Sequence, residues 1–225
     1  MNIYKYIEGL YSVQTQLNLS KLRKTSSSMY EIIQENFEDK KLGPYGQTVL
    51  QTKLYTKYNF LLYPLPGIHE LYFEISKVFH ECLKLHPEIP HEKYFIQCWL
   101  NYFNKGEFID WHGHSSVDFN NWHGFLCLDT EPNSYTSYKW PFDSSRKNLI
   151  IDVPSKDGMI VMGRTNGDMH RSSEWTHDDR PRITIAFDIV PGRFISEWHC
   201  KDYAEPKYLN AMKAEPHYIN HWIPI

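Results

Sequence analysis

The sequence predicts a mainly β protein, a jelly-roll barrel with supporting helices on one side. Aromatic residues make up 16% of the 225 residues, and aromatic side chains favour strands. About seven short apolar segments separated by turn residues follow Pro90, and a helical pattern precedes them. With 41% hydrophobic and 23% charged residues, the chain can bury a core, which excludes intrinsic disorder and coiled coils.

Residues 1–92 are predicted to form a mixed, partly helical support. A short helix is expected over Met29–Phe37, because Ser28 and Glu31 have the spacing of a capping box. A second helix is expected over Ile68–Leu83, where apolar residues recur at helical spacing. This pattern indicates core packing and no chemical role.

Residues 93–192 are predicted to form the barrel, and residues 193–225 to wrap around it, so that the chain makes one domain. Segments rich in Gly, Asn, Asp and Pro separate the expected strands. These strands are Tyr94–Phe103, Glu107–His112, His123–Leu128, Tyr135–Trp140, Asn148–Val153, Met159–Arg164 and Arg182–Val190.

Charge and cysteine usage limit the classes of partner and compartment. The net charge of -3 gives no electrostatic basis for sequence-independent binding to nucleic acid. Four cysteines, Cys82, Cys98, Cys127 and Cys200, are far apart and unpaired in sequence, which is typical of reduced core residues. The chain has no signal-peptide pattern and no apolar run of membrane-spanning length. We expect a cytoplasmic protein whose partner is a small molecule or a peptide. The sequence does not indicate whether the protein is a monomer or an oligomer.

Two histidines separated by one residue form the first motif that carries chemistry. His112 and His114 follow Gly106 in a segment predicted to be extended. Side chains two residues apart on a strand project to the same side. The two imidazoles can therefore share one metal ion.

A third histidine and an arginine follow in a separate part of the predicted barrel. His170 comes after an apolar strand, and Arg182 opens the next one with Thr184 two positions later on the same face. A buried arginine needs a carboxylate partner. Either an edge-of-sheet salt bridge or a bound dicarboxylate in bidentate geometry would provide it.

The ordered set Asn101, Gly106, His112-x-His114, His170 and Arg182-x-Thr184 resembles the Fe(II)- and 2-oxoglutarate-dependent oxygenase superfamily, in particular members from phage and marine microbial genomes. The resemblance covers residues 94–191. It implies a double-stranded β-helix, cupin-like in its barrel, that uses Fe(II), 2-oxoglutarate and O2, most simply as a hydroxylase releasing succinate and CO2.

The resemblance also implies a role for each site residue. His112, His114 and His170 would bind iron, and Arg182 with Thr184 would hold the far carboxylate of 2-oxoglutarate. Asn101 is similar to an asparagine that oxidative nucleic-acid demethylases use near the cosubstrate. Tyr138 is a further candidate to face the cosubstrate.

His114 departs from the superfamily pattern, which has a carboxylate at this position. The metal site would then be formed by three histidines, or be completed by Asp118 from the following loop, or by Asp110 from the same segment. We take Asp118 as the substitute carboxylate. His123, on the next strand, would line the substrate pocket, be a partner of the metal ligands, or be an ordinary buried strand histidine.

Two other functions stay open. The spacing from Gly106 through the two histidines to Asp118 resembles the first motif of the cupins, although the second cupin motif is missing. A cupin-like metal dioxygenase or isomerase would use no 2-oxo acid. A non-enzymatic jelly roll would use the histidines to hold structural zinc. Arg182 favours the oxygenase, because neither alternative needs a buried cation there.

Overall fold

The computed structural model describes residues 1–36, 58–114, 120–140, 149–165, 169–193 and 222–225. Among the predicted features, Asp118, Cys200 and most of the expected wrapping segment lie outside these residues. The helices and strands are β1 (Ile3–Ile7), β2 (Leu10–Gln14), α1 (Leu19–Asn36), a 3-10 turn (Phe60–Leu62), α2 (Ile68–Leu83), β3 (Tyr94–Phe103), β4 (Trp122–Asp129), β5 (Tyr135–Trp140), β6 (Leu149–Pro154), β7 (Met159–Arg164), β8 (Met169–Ser172), β9 (Arg182–Pro191) and β10 (Ile223–Pro224).

These strands form two antiparallel sheets. The larger sheet has seven strands in the order β1-β2-β7-β4-β9-β3-β10, and the smaller has three in the order β6-β5-β8. Side chains from both sheets line one pocket, so the sheets face each other across it. The mainly β jelly roll predicted from the sequence is confirmed.

Strand β9 shows how the sequence separates the pocket from the core. It pairs with β3 on one side and β4 on the other. Alternate residues Arg182, Thr184 and Ala186 line the pocket. The intervening apolar residues, Ile183, Ile185, Phe187 and Ile189, join the main hydrophobic core. One strand in the middle of the larger sheet therefore supplies both polar groups to the site and apolar groups to the core.

The helices cover the outer face of the larger sheet. Leu71, Ile75 and Phe79 of α2 are fully buried in the same core as the apolar face of β9. Full burial of such side chains stabilises the fold by about 1.5–3 kcal/mol each. This confirms the predicted packing role of Ile68–Leu83. Within the described residues, no helix combines the length and apolarity needed to cross a membrane.

The first helix begins earlier than predicted. It starts at Leu19, where the Asn18 side chain accepts a hydrogen bond from the Lys21 backbone at 3.0 Å. The predicted capping residue, Ser28, lies inside the helix. The run of hydroxyl residues obscured the helical pattern, because such side chains are satisfied within the helix, as when Ser27 donates to the Arg23 carbonyl at 3.1 Å. The predicted end at Phe37 lies outside the described residues.

The segment Glu107–His112 was predicted to be a strand, and this is wrong. It is extended but bonds to the β8 region only at intervals, for example by two hydrogen bonds of 3.0 and 2.8 Å between the backbones of His112 and His170. Trp175 is buried, and its backbone N–H donates to the Glu107 carbonyl at 3.0 Å. These isolated contacts fix the segment beside the smaller sheet without a continuous ladder.

Three short strand regions had no sequence signal. The hairpin β1–β2 extends the larger sheet through β7, but each strand has only five residues and mixed polarity. Strand β8 has four residues and is mostly polar. The two-residue β10 pairs with β3. The remaining strands differ from prediction by at most one residue at either end.

Candidate active site

The pocket between the two sheets has a histidine end and an arginine end. Both His170 and Arg182 line it, together with Phe103, Phe125 and Ser172. His170 comes from the smaller sheet and Arg182 from the larger one. The two sheets thus bring a histidine and an arginine to opposite ends of one cavity.

At the histidine end, three imidazoles form a cluster of metal-binding geometry. One ring nitrogen from each of His112, His114 and His170 lies within 4.8 Å of the other two. His170 is buried, whereas His112 and His114 are half-buried. The structure brings together the three histidines that the sequence singled out, and their role as metal ligands stays a prediction.

His112 is held in the tautomer that metal binding requires. Its Nδ1 lies 2.8 Å from the backbone carbonyl of Asp110, and a carbonyl only accepts, so Nδ1 carries the proton and Nε2 keeps its lone pair. Burial, with a further contribution from His114, lowers the pKa of His112 to about 4. The imidazole is therefore neutral at pH 7, the form in which histidine binds metals.

His114 is oriented by a carboxylate. Its Nδ1 lies 2.6 Å from Oδ1 of Asp188 on β9. Asp188 was not singled out from the sequence, although it follows Arg182 and Thr184 on the same face of their strand by alternation. This alternation is the sequence signal from which Asp188 could have been predicted to face the site.

A stack of parallel rings surrounds the cluster. The His123 ring is 4.8 Å from that of His114 and 4.5 Å from that of His170, at interplanar angles of 15° and 18°. The Tyr138 ring is 5.3 Å from that of His170 and 6.0 Å from that of His123. His123 and Tyr138 are buried. Tyr138, predicted near the cosubstrate, thus packs at the histidine end, and His123 packs against the ligand candidates as a neighbour.

Gly163 makes room for this stack. A Cβ atom at this position would lie 2.7 Å from Nε2 of His123, closer than real Cβ contacts. Gly163 is the cross-strand partner of His123 on β7. A side chain on β7 would therefore displace the ring that packs against His114 and His170.

At the arginine end, a guanidinium is buried without an acidic partner. Arg182 is 1% exposed, and within the described ranges its Nε and Nη1 have no hydrogen-bond acceptor. Its Nη2 donates to the Ser155 hydroxyl at 3.2 Å, and its charge lies 5.2 Å from the Phe103 ring centre. Burial lowers the pKa of the guanidinium. The predicted alternative of an edge-of-sheet salt bridge is absent from the described part of the chain.

Two other predicted residues lie beside Arg182. Asn101 and Thr184 are buried, face each other across β3 and β9, and line the pocket. The Asn101 side-chain amide donates to the Thr184 hydroxyl at 3.3 Å. This pair forms the wall between the arginine and histidine ends.

The structure does not place the predicted acidic candidates, Asp110 and Asp118, in the histidine cluster. Asp110 is exposed and its carboxylate accepts from the Trp111 backbone at 2.8 Å, so it is not one of the clustered groups. Asp118 lies outside the described residues. Among the described residues, Asp188 is an acidic residue that reaches the site, through His114.

Solved structures share this arrangement of sheets. A prolyl hydroxylase from Trichoplax adhaerens, in complex with a peptide fragment of the hypoxia inducible factor oxygen degradation domain, aligns with a TM-score of 0.59 over 83% of this chain and 85% of that chain. A Pseudomonas putida prolyl-4-hydroxylase aligns with a TM-score of 0.56 over 82% and 93%. The non-heme α-ketoglutarate-dependent carbocyclase SnoK from nogalamycin biosynthesis aligns with a TM-score of 0.57 over 82% and 80%.

The chain has the fold of the Fe(II)- and 2-oxoglutarate-dependent oxygenases. The double-stranded β-helix predicted from the sequence is therefore confirmed. Sequence identities to these three structures, in the same order, are 7%, 12% and 11%, so the likeness concerns the fold. No protein-family model and no curated protein matches the sequence.

Proposed function

We propose that this protein is an Fe(II)- and 2-oxoglutarate-dependent oxygenase that hydroxylates an organic substrate with release of succinate and CO2. The observation that carries the proposal is Arg182, a buried cation beside three clustered histidines in one pocket. The fold shared with 2-oxoglutarate-dependent enzymes supports it.

Arg182 fits the far carboxylate of the cosubstrate. A buried charge without a partner destabilises the folded protein by several kcal/mol, and two of the three guanidinium nitrogens of Arg182 have no acceptor within the described residues. A carboxylate accepts from such a planar fork in bidentate geometry. The donors that the protein leaves unsatisfied are thus those that a dicarboxylate would use, with Thr184 alongside.

The histidine cluster fits iron. Imidazole nitrogen is a suitable ligand for Fe(II), and a set of three protein ligands leaves coordination positions for small molecules. When bound, Fe(II) with 2-oxoglutarate and O2 supplies the oxidising chemistry, in which one oxygen atom enters the substrate and the other enters succinate. The protein supplies binding and orientation.

The chain's own residues have three tasks in this proposal. Arg182 and Thr184 hold the cosubstrate at one end of the pocket. His112, His114 and His170 hold the metal at the other end. The apolar walls, which include Phe103 and Phe125, exclude water from the space between them.

The proposed substrate is a small molecule or a peptide. The net charge of -3 disfavours nucleic acid. Among the structural neighbours, one is a hydroxylase solved with a peptide and another is a carbocyclase from nogalamycin biosynthesis. The shared fold is compatible with both classes of substrate.

A cupin-like metal dioxygenase without 2-oxoglutarate is the second candidate function. It is favoured by one observation, the all-histidine donor set of the cluster. It gives no role to the buried charge of Arg182. The two candidates therefore differ in whether the metal-loaded protein binds 2-oxoglutarate.

The test is anaerobic. Fe(II) and then 2-oxoglutarate are added to purified protein, and the visible metal-to-ligand charge-transfer band that marks bidentate chelation is recorded. We expect a band in the wild type and none in His170→Ala at the same protein concentration. Stoichiometric iron binding without a band in the wild type would contradict the proposal and favour the cupin-like function.

A further inference from the structure

Asp188 gives His114 an acceptor of a different kind from that of His112. The Asp188 carboxylate lies 2.6 Å from Nδ1 of His114. Nδ1 of His112 instead faces a neutral backbone carbonyl, at 2.8 Å. The two histidines of the same motif therefore have acceptors of different charge.

The position of Asp188 is fixed by the larger sheet. On β9 it lies opposite Gln97 of β3 and His123 of β4. Its side chain is 20% exposed and that of His114 is 17% exposed, so solvent only partly screens the pair. A central strand holds the carboxylate, whereas His114 follows the irregular segment that carries the motif. The rigid partner thus determines the orientation of the less regular one.

The chemistry of this contact favours metal binding at the opposite nitrogen. An ionised carboxylate only accepts hydrogen bonds, so Nδ1 of His114 carries the proton and Nε2 presents its lone pair. A carboxylate partner also raises the basicity of a histidine ligand and fixes its ring. Nε2 of His114 therefore donates its electron pair to a metal more strongly than the nitrogen of an imidazole that is hydrogen-bonded to a neutral group.

We propose that Asp188 is a positioning residue for the metal centre, supplying through His114 the negative charge that a directly ligating carboxylate provides in the pattern this chain resembles. The inference rests on the proposed function, since it concerns the same metal. It assigns the acidic member of the site to β9, the strand that also carries Arg182. Metal and cosubstrate groups would then share one rigid element.

The first experiment measures metal affinity and the ligand field, not turnover. Purified protein is titrated with Co(II), whose visible absorption bands report the strength and geometry of its ligands. We expect Asp188→Asn, which keeps the size but removes the charge, to weaken binding about 10- to 100-fold and to shift the bands. Asp152→Asn is the matched control, because Asp152 accepts from the Ser137 hydroxyl on β5 at 2.6 Å and contacts none of the clustered histidines.

A second variant separates positioning from a general effect on folding. In His114→Asp the carboxylate is restored to the motif and Asp188 loses its imidazole partner. Asp188→Asn should then cause no loss of Co(II) affinity in that background. An equal loss in both backgrounds would overturn the inference, because Asp188 would be acting through the fold.

The outcomes distinguish this inference from the proposed function. If the wild type binds Co(II) and Asp188→Asn binds it with the same affinity and spectrum, the role of Asp188 is refuted while the metal site stands. If neither the wild type nor Asp152→Asn binds Co(II) or Fe(II), the metal site itself is refuted, and the inference with it.

Discussion

The two ends of the pocket differ in how their polar groups are satisfied. At the histidine end, His112 has a carbonyl partner and His114 a carboxylate partner, so the protein itself sets the ring orientations. At the arginine end, Arg182 is buried, and the described residues give its guanidinium one hydrogen-bond partner, the Ser155 hydroxyl. Hydrogen bonds within the protein fix the rings at the histidine end. At the arginine end, guanidinium N–H groups remain that a ligand would bond.

This difference separates preorganisation from ligand dependence. Rings whose hydrogen-bonded nitrogens are fixed by internal partners need less reorganisation to bind a metal. A buried guanidinium with unsatisfied N–H donors is stabilised when an anion binds and accepts hydrogen bonds from them. We therefore expect substitutions at the histidine end to change metal binding, and substitutions at the arginine end to change 2-oxoglutarate binding with the metal site intact.

The largest effect is expected from a substitution that breaks both ends together. Gly124 is on β4 and lines the pocket that contains both ends, and a Cβ atom there would lie 2.2 Å from the Val161 carbonyl oxygen and 2.6 Å from the Phe187 ring. Since neighbouring backbone must move, Gly124→Ala should destabilise the fold by at least about 3 kcal/mol. Denaturant unfolding measures this change.

Gly192→Ala serves as the control for Gly124→Ala. There the nearest atom to a new Cβ is in the Phe95 side chain, at 3.2 Å, so a small side-chain shift suffices. We expect a change below about 1 kcal/mol. Equal destabilisation by the two variants would mean that the close packing of β4 against β7 is not what holds the two ends together.

An intermediate effect is expected from Gly163→Ala, which acts on the histidine end alone. The new methyl group would displace His123 and so disturb the ring stack against His114 and His170. Metal affinity should fall about tenfold, as measured by Co(II) titration. In a His123→Ala background the methyl group has space, and the same substitution should leave affinity unchanged; a tenfold loss there would refute the role given to the stack.

The smallest effect is expected from Ser155→Ala at the arginine end. It removes the hydroxyl that holds Nη2 of Arg182, so the guanidinium must be ordered by the cosubstrate itself. The loss of one such bond, about 1 kcal/mol, corresponds to about fivefold weaker 2-oxoglutarate binding. Calorimetry on iron-loaded, oxygen-free protein measures it, and Ser134→Ala, whose hydroxyl donates to the Glu131 carbonyl, should leave it unchanged.

The sequence predicted the arginine end better than the histidine end. Arg182 and Thr184 are on a long strand with strict alternation, so their common face followed from period 2 alone. The expectation for His112 and His114 came from a strand that does not form, and they meet His170 through isolated contacts. That grouping was nevertheless correct, because the motif itself carried the information.

Long-range pairing explains what the sequence could not predict. Asp188 contacts a histidine 74 positions earlier in the chain, and neither residue's local pattern indicates the other. The hairpin β1–β2 pairs with β7, about 150 positions later, and has no clear periodicity of its own. The barrel was predictable because its strands are bounded by turn residues, whereas the partners of its loops and short edge strands depend on tertiary contacts.

In the proposed function, the buried cation at Arg182 holds 2-oxoglutarate while the histidines hold the metal independently. The most direct measurement is calorimetric titration of 2-oxoglutarate into oxygen-free, iron-saturated wild type, Arg182→Ala and Arg180→Ala; Arg180 is an exposed arginine that pairs with Asp129 and Glu131. We predict that Arg182→Ala binds iron as the wild type does but binds 2-oxoglutarate at least about 100-fold more weakly, with Arg180→Ala unchanged. Equal 2-oxoglutarate affinity in all three proteins would contradict the account.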